Sequence, residues 1–225
     1  MTIIQGIKLI DPIATIERKI LTASVKEMNI VFPKAIQAIE DDIKNSIDTI
    51  FVYSPEFKAL TDNNGLLRFA FGLPQSDAVD ACYEIITALT NSLHVEFKRF
   101  SVSGGRTVKG GIRVYAFLAD FSDILGLPTS STQTLKGERL DWLEWLLIEG
   151  DRVIIKDYDM VLGNFATSRS GGAIMTANNK SAWRVPPQYS GTKNDNWITR
   201  ALDDAATFVE SLITNVIESN IKKVM

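Results

Sequence analysis

LDWLEWLLIEGDRVII (residues 140–155), SRSGGAIM (168–175) and SAWRVPPQYSGTKNDNWITRALDD (181–204) are the stretches on which the fold turns. The first sets two tryptophans in an apolar turn and runs on into β-branched residues, so a strand is expected over 151–161. The second reads as a glycine-rich apolar strand over 171–176. In the third, Pro186 and Pro187 force extended backbone beside Arg184 and Tyr189, and Ser190-Gly191-Thr192 adds turn chemistry. Trp142, Trp145 and Trp183 precede the helix that follows, and Trp197 begins it. Large amphipathic rings beside Arg169, Arg184 and Arg200 are the composition of a contact surface. Trp183, Arg184, Pro186, Pro187 and Tyr189 are therefore the candidate interface, a loop stiff at its base and exposed at its tip. The alternative is that Trp183 plugs the local core.

Outward from this block, apolar residues at helical spacing mark a final helix over 196–224, through Ile198, Leu202, Ala205, Val209, Leu212, Val216 and Ile217. Its Leu202, Val209, Leu212 and Val216 face is expected in the subunit's own core. At the other end, Ile13, Ile16, Ile20, Met28 and Val31, then Ile36, Ile39, Ile43, Ile47 and Ile50, predict a long amphipathic helix bent or broken at Pro33. Its narrow isoleucine seam suits one partner helix or a sheet face. Ser54-Pro55 starts a short helix ending at Asn63-Asn64-Gly65, and Gln75-Ser76-Asp77 opens another through Val79, Cys82, Ile85, Ile86 and Leu89. Residues 94–102 and 112–118 read as strands joined by SGGRTVKGG as a flexible hairpin. Helices at both ends and strands between them predict an α+β fold, an antiparallel β-sheet covered by long N- and C-terminal helices. The whole chain, 1–225, is read as one domain with an N-terminal helical arm at about 1–53.

A chain of 225 residues with 45% hydrophobic residues can bury a substantial core without disulfides. Cys82 is its only cysteine and His94 its only histidine. That pair excludes an intramolecular disulfide and leaves no triad or multi-ligand zinc spacing, so no cofactor, no metal and no catalysis are expected. Cys82 is read as a small residue on a buried helix face and His94 as a solvent-facing strand position. No apolar run approaches membrane-spanning length, so no membrane partner is expected, and synthesis belongs in a reducing cytoplasm. A formal charge of −3 argues against a dedicated nucleic-acid binder. SGGRTVKGG lacks the phosphate-loop spacing, although Arg106 and Lys109 at its tip could touch passing phosphate. Glu144, Glu149 and Asp151 beside the tryptophans are the carboxylates on which a hydrolase would depend.

SPEFKALTDNNGLLRFAFGLP (54–74), read as a short helix, a glycine and an LRxxFGL-like strand, together with the three stretches quoted first, resembles the tail-completion and neck proteins of tailed bacteriophages. The resemblance covers roughly 53–224. It departs from the simpler members in the helix over 77–93, which stands where they have a short connection. What the resemblance implies is a non-enzymatic virion protein at the head-tail junction, made in the host cytoplasm. It further implies a ring of copies, most often six, against connector or portal and tail-tube proteins, with DNA passing through unbound and Arg106 and Lys109 as a candidate lumen loop. A head-completion adaptor on the portal ring is the alternative within the virion, and a carboxylate-based hydrolase the alternative of another class.

Overall fold

The computed structural model describes residues 12–116, 121–134 and 137–224. Residues 1–11 of the expected arm and 117–118 of the second expected strand lie outside the described residues. The fold is α+β, with antiparallel sheets and long helices near both ends. Among the described residues the strands form three separate two-stranded ladders. Contacts group the chain into two compact units, one of residues 1–41, 94–115 and 210–225, the other of 42–93 and 116–209.

The first unit is a hairpin laid on helices. Helix α1 (Ile13–Tyr53) runs through Pro33 without interruption, and its early turns belong here. Strands β1 (Leu93–Ser103) and β2 (Thr107–Ala116) pair through a tight tip at Gly104-Gly105-Arg106, where both glycines adopt positive φ. The expected flexible loop is thus confined to its tip, and Lys109 lies within β2. Val25, Met28, Phe32 and Phe100 form the buried core, with Phe97, Val102, Ile112, Val216 and Ile217 packed against it. Phe32 stacks on Phe97 at 5.9 Å and meets Phe100 edge-on at 5.2 Å. The expected register of α1 shifts accordingly: Ile13 and Ile20 are exposed, and aromatic Phe32 takes the buried stripe, because ring area outweighs an isoleucine at each turn.

The second unit is built on the later turns of α1, where Ile43, Ile47 and Phe51 are buried every fourth residue. Helix α2 (Pro55–Thr61) starts at an N-cap whose Ser54 hydroxyl accepts from the Phe57 N–H at 3.2 Å. Leu66–Phe71, expected as a strand, is instead helix α3, closed by Gly72 in the left-handed region. Six residues, all apolar or aromatic but Arg68, fit either period, and Gly72 is the stop signal that decides for the helix. Helix α4 (Gln75–Ser92) buries Ala78, Ala81, Cys82, Ile85, Ile86 and Leu89 along one face. Short α5 (Ser122–Leu125), a 3₁₀ turn at Pro128–Ser130, and the small ladder β3 (Thr132–Gln133) with β4 (Arg139–Leu140) lead to α6 (Trp142–Leu147).

Strand β5 (Ile155–Leu162) then pairs antiparallel with β6 (Ala173–Trp183). The register shifts between Lys156 and Tyr158 on one strand and Ala182 and Ala177 on the other, so Asn178 to Ser181 bulge outward opposite Asp157 at φ 62°. Helix α7 (Trp197–Val224) closes the chain. Its fully buried residues are Trp197, Ile198, Ala201 and Ala205, whereas Leu202, Val209, Leu212 and Val216 are only half-buried. The expected core face is met only in part: Leu202, Val209 and Leu212 lie half-buried beside that stripe, and Val216 packs against the core of the first unit.

Candidate functional site

The proline loop after β6 is anchored from both ends. Trp183, still within β6, packs edge-on against Phe71 at 6.0 Å, and Phe71 also meets Trp142 at 5.8 Å and Trp145 at 6.4 Å. Val185 is buried, and Tyr189 and Ser190 both donate their N–H to the Pro186 carbonyl in one tight turn. Gly191 and Gly150 then pass backbone to backbone. A Cβ on Gly191 would stand 2.2 Å from the Leu146 carbonyl oxygen, and one on Gly150 would stand 2.3 Å from the Ser190 Oγ. Neither position tolerates a side chain without displacing the loop.

The far end is fixed by Asn196. Fully buried, its Oδ1 accepts from the Ile198 and Thr199 N–H groups at 3.0 and 3.2 Å, and its Nδ2 donates to the Thr192 carbonyl at 2.8 Å. Thr199 Oγ1 reciprocates by accepting from the Asn196 N–H, which satisfies the orphan donors of the helix start. Trp197 Nε1 donates to Ser54 Oγ at 2.8 Å, tying α7 to the cap of α2. Between these anchors Arg184, Pro187, Gln188 and residues 192–195 are exposed. Of the five candidate interface residues, Arg184 and Pro187 are fully presented, Pro186 and Tyr189 half, and Trp183 works inward.

The neighbouring arginines are occupied. Arg68, 4% exposed, donates to the carbonyls of Ser170 and Asn63, both at 2.6 Å. Arg169 donates to Gly72 at 2.5 Å and to the carbonyls of Phe71 and Gln133. Burial lowers the pKa of both guanidinium groups from the ordinary arginine value. Arg200 holds Glu56 at 2.8 Å and Asp195 at 2.7 Å. Hence Arg169 and Arg200, expected at a contact surface, are half-buried clamps within the chain, and Arg184 is the most open of the three. Arg68 and Arg169 border an open cleft of about 700 Å³, lined also by Asn63, Phe69, Gln75 and Ser168, and each guanidinium is held in place by hydrogen bonds to backbone oxygens.

The carboxylates of the hydrolase alternative are held apart in role. Glu144 lies half-buried on α6, Glu149 pairs with Arg152 at 2.5 Å, and Asp151 accepts from Ser190 Oγ at 3.4 Å. Among the described residues no three His, Cys, Asp or Glu side chains gather as metal ligands would. Cys82 is buried, and burial pushes its thiol up to about 12. His94 is exposed, 3.8 Å from Glu40. No described helix is long and apolar enough to cross a membrane.

In the first unit Arg106 and Lys109 are exposed at and beside the hairpin tip. Three further cations that belong to no motif, Lys98, Arg99 and Arg113, are exposed on the same hairpin. A charge count over 94–115, five Lys and Arg against the single Glu96, is the signal that finds them. Two side chains of α1 also serve β1: Asn29 exchanges both amide bonds with the Phe100 backbone at 2.8 and 2.9 Å, and Glu40 accepts from the Val95 N–H at 3.2 Å. No family model, curated protein or solved structure matches this chain.

Proposed function

We propose that this chain is a non-enzymatic bacteriophage assembly protein of the head-tail junction, a tail-completion or neck subunit that works as a ring of copies. The observation that carries the reading is the loop from Arg184 to Asp195: it presents Arg184, Pro187, Gln188 and residues 192–195 to solvent yet is locked by Val185, the Gly150–Gly191 contact and the Asn196 cap. A loop so fixed has already lost most of the entropy that docking would cost, which is what a recognition surface in a particle requires. The phage resemblance of 54–74 and 140–204 supplies the kind of particle. In this reading the neighbours are further copies of the chain and the connector and tail-tube proteins, and DNA passes without specific binding.

The test is made in the phage. Arg184→Ala with Tyr189→Ala removes the two largest side chains of the loop that face outward, and touches none of its anchors. The expected result is a folded protein absent from purified particles, with filled heads and tails found separately. Normal incorporation of the double variant would remove the docking role. Electron-microscopic averaging of wild-type particles with the chain labelled would place it at the neck, and a label elsewhere would end the reading.

A further inference from the structure

Charge is divided unequally between the two units. Residues 1–41, 94–115 and 210–225 carry 12 Lys and Arg against 8 Asp and Glu, a net +4, while 42–93 and 116–209 carry 12 against 19, a net −7. The excess of the first unit sits on the hairpin. Its inner face, Val95, Phe97, Phe100, Val102 and Ile112, is committed to the core, and Lys98, Arg99, Arg106, Lys109 and Arg113 are all exposed. Lys98 and Arg99 are adjacent and both exposed, so the in-out alternation of β1 skips there and adds a cation to the outer side. The lone carboxylate, Glu96, accepts from the Tyr115 hydroxyl at 2.8 Å, and among the described residues none pairs with Lys98, Arg99, Arg106 or Lys109.

A basic face of this kind takes an acidic partner, and two are open to it: a nucleic-acid backbone or an acidic protein surface. The rest of the molecule decides between them. A long polyanion meeting the hairpin also meets a chain of net −3 whose second unit repels it, and affinity for phosphate chains rests on the summed field as well as on local contacts. A second copy of this chain brings its −7 unit to the +4 unit, and every unit can be satisfied in turn. Pairing hairpin to hairpin would set like charges face to face, which disfavours a two-fold dimer through this surface. Unlike faces joined in sequence give a heterologous contact, which builds a ring where the rotation between copies closes and a filament where it does not.

We infer that the exposed face of the β1–β2 hairpin docks electrostatically on the acidic second unit of a neighbouring copy of the same chain. This deepens the ring reading, but its test needs only purified protein: a chain that associates through the hairpin and is missing from particles would sink the neck reading alone.

The experiment is sedimentation of the full chain at ~0.1 M and ~1 M salt, over which the screening length falls from ~10 Å to ~3 Å. The same runs are made on the Lys98→Glu, Arg99→Glu, Lys109→Glu triple variant, whose circular dichroism and melting temperature verify the fold. Self-association at the lower salt, weakened at least ~10-fold at the higher salt and as much by the triple variant, is expected. Carbodiimide coupling on an equal mixture of isotope-labelled and unlabelled chains should join Lys98 or Lys109 of one copy to an Asp or Glu of 42–93 or 116–209 of another. The inference is overturned by a monomer at low salt, by a folded triple variant that associates like wild type, or by intermolecular couplings confined to carboxylates of the first unit. It is equally overturned if the hairpin cations instead carry salt-dependent retention of a short duplex DNA, with no self-association.

Discussion

The hairpin unit and the tryptophan-rich unit solve the same problem at different depths. Around the hairpin the core cluster of Val25, Met28, Phe32 and Phe100 is flanked by side chains that are only partly covered, and the sheet keeps one face for solvent and for charge. In the other unit Phe71 gathers three tryptophans, Trp142 and Trp197 are fully buried, and each of those two indole N–H groups is bonded inside, to Thr129 and Ser54. The difference teaches where stability and display reside: thick apolar packing holds the proline loop still, and thin packing presents a cationic surface.

Trp197→Ala attacks the deeper side and should cost the most, about 3–5 kcal/mol, seen as a lowered denaturant midpoint. A loss below about 1 kcal/mol would mean that the second unit is not organised around that ring. Phe32→Ala tests the thin side. A cost near 3 kcal/mol is expected, since half-exposed neighbours can close in, and amide exchange should quicken over 94–115 while 142–147 and 197–205 stay protected. Equal loosening of both regions would erase the contrast.

Asn29→Ala should cost about 1–2 kcal/mol, because the Phe100 N–H and carbonyl lose their partner but lie close enough to solvent for water to replace part of it. Leu212→Ala, at a half-buried position, should cost only ~1 kcal/mol in thermal unfolding, against the 2–5 kcal/mol typical of a core leucine. Cys82 gives the smallest effect at neutral pH and a directional one above it. Its folded pKa is raised from about 9 to about 12, so burial of the neutral thiol contributes fully below pH 9 and the contribution is lost as pH rises toward 12. Wild type should therefore lose stability relative to Cys82→Ala by on the order of 1 kcal/mol per pH unit above 9, and parallel curves would refute the assignment.

Much of this was legible in the sequence where local chemistry is strong. Ser54-Pro55 marks α2, Gln75 opens α4, and the glycine pair at 104–105 marks the hairpin tip. What was not legible depends on partners remote in sequence. Leu66–Phe71 is six residues long, too short for periodicity to separate helix from strand. The strand expected over 171–176 runs on to Trp183, and the alternation that would have marked its second half is broken by the bulge, so only pairing with β5 makes those residues strand. Arg169 and Arg200 looked like surface arginines; the carbonyl partners of Arg169 and the Glu56 partner of Arg200 lie tens of residues away or more. The loop itself was recognisable from its prolines, but the two glycines that lock it are separated by the whole of β5 and β6.

The Asn29 amide has one more effect. By occupying both hydrogen-bonding groups of Phe100, with Glu40 on the Val95 N–H, helix α1 imitates an adjoining strand along the side of β1 that β2 leaves vacant. Exposed strand margins invite cross-β growth and fibre formation, and blocking them is how native sheets stay out of aggregates. With the Phe100 N–H and carbonyl and the Val95 N–H already bonded to side chains, incoming protein finds those groups of the β1 margin taken, and whatever meets β1 there must recognise side chains.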